Sequence, residues 1–66
     1  MQSSDKLVMM ANQIARNLMV HGDEEAASLT ADHMRKFWEP RMREQILERL
    51  DAGGTGLSPV ARRAVE

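Results

Sequence analysis

Sixty-six residues with a formal net charge of -1 and no cysteine exclude a disulfide framework and a thiolate metal site, and they leave no global positive field to draw the chain to nucleic acid or anionic lipid. A chain this short buries only about 60% of the surface its unfolded form exposes, so its stability alone is marginal and reinforcement is expected from another chain. The uncharged run Leu7 to Ala15 is too short to span a bilayer, and the N-terminus lacks the basic, apolar and small-residue regions of a signal peptide; the expectation is a soluble, cytoplasmic chain with no membrane partner.

Ser3, Ser4 and Asp5 are capping residue types ahead of a periodic run, which predicts a first helix over about 6–20. At 100° per residue, Leu7, Val8, Met10, Ala11, Ile14, Ala15, Leu18 and Met19 share one arc, with Asn12, Gln13, Arg16 and Asn17 opposite. Met9 and Val20 fall on the polar side, where they predict a second contact surface. Gly22 is suited to closing this helix and Asp23 to capping the next, with Glu24 and Glu25 facing the positive end of its dipole.

A second helix is expected over about 24–38. Ala26, Thr30, His33 and Phe37 line up along its apolar face, Ala27, Met34 and Trp38 stand beside them, and Asp32 is placed to pair with Lys36. Phe37 is expected to point into that face. Pro40 forces Glu39 out of the helical region and can open a third helix over about 40–52, with Met42, Ile46, Leu47 and Leu50 as its stripe. Gly53, Gly54, Thr55 and Gly56 predict a flexible connector at about 53–57, and Ser58-Pro59 predicts a short helix over about 59–65 that is either docked or frayed. With no strand-like alternation, the expected fold is all-α: a small bundle of three helices plus a short C-terminal helix, in one domain over 1–66.

No catalytic, cofactor-binding or metal-binding residues stand out. The glycines of the connector follow a helix and lack the lysine of a phosphate loop, so they read as a helix stop and linker. His33, in the middle of an apolar face, reads as a core or interface histidine before a ligand or base, and His21 as a cation at a helix end. The unusual stretch is ADHMRKFWEPRMR, Ala31 to Arg43, which holds the only Phe and the only Trp side by side and four of the nine basic residues. Arginine interleaved with aromatics is the composition of a nucleic-acid patch. Asp32, Glu39, Glu44 and Glu48 alternate with those cations, however, and favour an interface with a protein, where Trp and Arg are the commonest anchors. The plain alternative is that Trp38 closes a small helical core.

The stretches KLVMMANQIA (Lys6 to Ala15), ADHMRKFWEPRMR and GGTGLSP (Gly53 to Pro59) resemble, in order and approximate spacing, the delta subunit of soluble NAD-dependent formate dehydrogenases. Asn17 and Leu18 depart from the aromatics that many relatives carry after the first stretch. The resemblance implies a small non-catalytic accessory subunit of a cytoplasmic complex. A large catalytic subunit would hold a molybdenum or tungsten bis-pterin cofactor, and iron–sulfur clusters and FMN on other subunits would pass electrons to NAD. A chain with no cysteine and no dinucleotide-binding motif holds none of those centres. Mapped onto this sequence, the central motif implies Phe37, Trp38, Pro40, Arg41, Met42 and Arg43 as partner-binding residues, with the large subunit as partner. Two rivals stand beside this reading: a transient assembly chaperone for the same enzyme, and a small helix-turn-helix nucleic-acid-binding protein. The near balance of Glu44, Glu48 and Asp51 against Arg41, Arg43 and Arg49 argues against the second.

Overall fold

A computed structural model of the chain describes residues 4–66; the capping expectation at Ser3 lies outside the described residues. Among these the elements are α1 (Ser4–Asn17), a 3-10 turn (Met19–His21), α2 (Asp23–Phe37), α3 (Pro40–Asp51) and α4 (Pro59–Val65), with no strand. The fold is all-α.

The first helix stops earlier than its apolar periodicity predicts. Leu18 N–H is shared between the carbonyls of Ile14 and Ala15, and the chain tightens into three-residue bonding, with His21 N–H on Leu18 and Gly22 N–H on Met19. This tighter bonding is a common way to finish a helix. Gly22 closes that turn at positive φ, as expected, and also serves the next helix. At φ 94° and ψ 159° it is the N-cap of α2 and accepts from Ala26 N–H, so Asp23 moves into the first turn beside Glu24 and Glu25, where all three carboxylates face the positive dipole end. Further along α2, Asp32 pairs with Arg35, three residues on, in place of the expected Lys36. The breaks at the two prolines follow backbone chemistry. Glu39 is extended (φ -67°, ψ 152°) ahead of Pro40, which opens α3, and Ser58 caps α4 by accepting from Ala61 N–H at 3.2 Å.

Small side chains set how the helices meet. Ala11 and Ala15 of α1, Ala26 and Ala27 of α2 and Ala61 of α4 are all buried, together with Leu7, Val8, Met34, Ile46, Leu57, Val60 and Val65. Alanine at a contact lets helix axes approach closely, and the larger aliphatics fill the space on either side. The short α4 is part of this core rather than an appendage: it packs chiefly on α2 and buries Val60, Ala61 and Val65. Tertiary packing is what holds a helix of 7 residues in register, since an isolated helix of that length does not persist in water.

Thr30 is fully buried in α2 and its Oγ1 has no hydrogen-bond partner. An unsatisfied buried hydroxyl costs about 1–3 kcal/mol, and replacing it with an apolar group of the same outline removes that penalty. Thr30→Val is therefore expected to raise stability by about 1 kcal/mol, read as a higher urea midpoint at unchanged slope.

The glycine connector is anchored, contrary to its flexible reading. Gly53 N–H bonds Leu50 O and Gly54 N–H bonds Arg49 O, the paired bonds that finish α3, with both glycines at positive φ. Three side chains then hold the connector from outside. Arg62 Nη2 donates to Gly53 O at 2.8 Å, Arg49 Nε donates to Thr55 O at 3.1 Å, and Asn12 Nδ2 donates to Gly56 O at 2.8 Å while its Oδ1 accepts from Ser58 N–H at 2.8 Å. Arg49 also reaches Ser4 Oγ and Asp5 Oδ1, each at 2.7 Å, and so joins the start of α1 to the end of α3. Asn12→Ala is expected to cost about 1–3 kcal/mol by leaving the Gly56 carbonyl and Ser58 N–H without their partner. Hydrogen exchange at Ser58 N–H, faster in the variant, checks the mechanism as well as the size.

Candidate partner-binding face

The two adjacent aromatics part company at the end of α2. Helical bonding ends with Trp38 N–H on Met34 O at 2.9 Å, after which the chain turns extended at Trp38 (φ -83°, ψ 139°) and at Glu39 ahead of Pro40. The N–H and φ of Trp38 still continue the helix, so the indole projects on the covered side of α2 one turn beyond buried Met34 and is 6% exposed, whereas Phe37 continues the edge of half-buried His33 and is 71% exposed. The expectation that Phe37 points into the apolar face is overturned. The line of Ala26 and Thr30, both buried, runs through half-buried His33 and out to Phe37. The rings of His33 and Phe37 stack at 4.8 Å between centroids and 42° between planes.

Alongside runs an open groove of about 440 Å³ between α1 and the end of α2, lined by Met10, Ile14, His33 and Trp38 on its floor and walls, with Lys6 and Gln13 at the rim. Met9 stands on the same groove and is 70% exposed. Its departure from the α1 periodicity, and the polar-side placement of Val20, each leave a large apolar side chain in solvent. Isolated exposed apolar residues are ordinary. A methionine, a phenylalanine and an apolar groove side by side form a patch of the kind that marks a contact surface.

The other expected partner-binding residues spread over two surfaces. Pro40 and Arg41 are exposed at the start of α3 and Met42 is half-buried, with Glu39, Arg41, Met42 and Gln45 framing a separate hollow. Arg43 faces the other side, toward a hollow formed with Arg35, Leu47 and Val65. The structure therefore pairs Phe37 with His33, which shares a groove with Met9, and places Arg43 on a different hollow. Met9 was legible as a break in periodicity. Its place on the same groove as His33 and Trp38 was not, because it depends on how α1 crosses α2.

Among the described residues no cluster of three His, Cys, Asp or Glu side chains is arranged to hold a metal, and no helix is long and apolar enough to cross a membrane.

A family model described as NADH-dependent formate dehydrogenase delta subunit FdsD matches residues 6–65, nearly the whole chain. No curated protein and no solved structure matches.

Proposed function

Since the chain belongs to the family of NADH-dependent formate dehydrogenase delta subunits, we propose that it is a non-catalytic accessory subunit. In this reading it works in a cytoplasmic complex, binding and stabilising the large molybdopterin-containing catalytic subunit. The single observation that carries the contact is the uncovered patch of Met9, Phe37 and the groove floored by Trp38. Each exposed apolar Å² withdrawn from water on docking contributes about 25 cal/mol, and aromatic and methionine side chains are the types that adapt to and anchor such contacts. Phe37 is the anchor, His33 fixes its ring, and Trp38 supports the site from within. Pro40 contributes by ending α2 where it does. Arg41 and Met42 flank the same corner, and their partner contacts are of the rim type, setting encounter rate and register more than affinity.

The cofactors of the complex, a molybdenum or tungsten bis-pterin, iron–sulfur clusters, FMN and NAD, belong to other subunits in this reading. The chain has no cysteine to ligate a cluster, and its influence on the reaction is exerted by contact alone.

The test is purification of the tagged chain from its native cells through a sizing column, with mass spectrometry of what stays bound. A large molybdopterin-type subunit at near one-to-one stoichiometry supports the accessory role. Presence only in cofactor-free precursors of the enzyme points to the assembly chaperone instead. Recovery with nucleic acid and without that subunit rejects both.

A further inference from the structure

Three arginines are half-buried: Arg43, Arg49 and Arg62. Two of them have every reason to be. Arg49 donates to Ser4, Asp5 and Thr55, and Arg62 to the carbonyls of Gly53 and Gly54. Arg43 makes no side-chain hydrogen bond or ion pair among the described residues, and its Nε–H is fully covered without an acceptor. Burying a donor of a charged group without a partner is among the costlier arrangements a small protein tolerates.

The arginine stands on the wall of a hollow of about 230 Å³ between α2, α3 and α4. Met34, Ile46 and Val65 supply buried apolar wall, and Leu47 lies at the mouth with 46% of its surface exposed. Arg35 is on the same rim, already paired with Asp32. Glu66 is there too and bonds neither arginine among the described residues. The site is thus a partly apolar hollow with one uncommitted guanidinium, a second cation nearby and one acid on the edge.

We propose that this hollow receives an aspartate or glutamate side chain from a partner subunit, with Arg43 as the residue that binds its carboxylate. The planar guanidinium fork matches a carboxylate with two parallel hydrogen bonds, and an incoming acid draws the fork out of its covered position and gives its donors the acceptor they lack. Glu66 on the rim disfavours a doubly charged phosphate and leaves a single carboxylate as the better electrostatic match. The exposed Leu47 beside it favours an acid carried on a chain, which brings apolar contact, over a free small anion. This proposal rests on the reading of the chain as a subunit of a complex. It places a second point of attachment on a hollow that shares no residue with the groove beside His33.

The experiment compares the tagged wild-type chain with Arg43→Met, Arg43→Lys and Phe37→Ala for retention on the purified complex through a salt gradient, together with melting of each free chain. Arg43→Met is expected to bind about ten- to a hundred-fold more weakly. Arg43→Lys should recover only part of that loss, because it keeps the charge without the fork. The free Arg43→Met chain should melt no lower than wild type, since the methionine covers the same wall without an orphaned donor. Undiminished retention of Arg43→Met alongside weakened Phe37→Ala overturns the carboxylate pocket and keeps the subunit reading. Failure of the wild-type chain to bind the complex overturns both. A lowered melting temperature for Arg43→Met shows that the arginine serves the fold and also overturns the proposal. So does saturation of the free chain by sub-millimolar sodium acetate, which would identify a free anion as the ligand.

Discussion

Trp38→Ala is expected to lower the stability of the chain by about 3–5 kcal/mol, which is most of what a domain of this size holds in reserve. The indole is 6% exposed and forms the floor of the groove with Met10, Ile14 and His33. Its removal leaves a cavity that α1 and the end of α2 cannot close, because Pro40 fixes where the chain turns. The far-UV circular dichroism of the free variant should show a chain largely unfolded at 25 °C, or a melt shifted down by tens of degrees. Normal melting combined with loss of the complex would instead make Trp38 a direct contact residue.

Phe37→Ala is expected to do the reverse. With 71% of its surface exposed, the ring contributes little to folding, and surface substitutions of this kind change stability by about 0.5 kcal/mol or less. At the centre of a docked patch, truncation of an aromatic anchor costs about 2–4 kcal/mol, a loss of roughly thirty- to a thousand-fold in affinity for the large subunit. Binding titrations of the variant against the complex check this. Unchanged affinity would move the contact away from the Met9–Phe37 patch. Two neighbouring aromatics are thus assigned opposite roles, one for folding and one for binding, and a pair of single substitutions separates them.

The assignment could not be made from periodicity. Counting at 100° per residue puts Phe37 on the apolar line and Trp38 just off it, and both directions are still set by the helix, which ends at Phe37. Which part of that arc is covered depends on where α1 and α4 pack on α2: Met34 and Trp38 are buried, while His33 and Phe37 lie toward the open edge. The same limit explains the connector. Its glycines correctly mark the end of α3 and the need for positive φ. Composition is silent about the carbonyl acceptors they present to Arg62, Arg49 and Asn12. Asn12 stands in the polar arc of α1, indistinguishable there from Gln13 or Asn17, yet it joins Gly56 across 44 positions of sequence.

By itself, then, the sequence determined the helical character of the chain, its breaks at the glycines and prolines, and, through three short stretches, the family to which it belongs. These signals are carried by backbone preferences and local spacing, which act over a few residues and survive in any tertiary arrangement. Only the tertiary structure decided that Trp38 is buried and Phe37 displayed, that Met9 stands beside the same groove, that the glycine segment is tied down, and that Arg43 alone of the half-buried arginines lacks an acceptor among the described residues. Each of these depends on which helix faces cross, and that is set by packing between segments far apart in the chain, where no local pattern reaches.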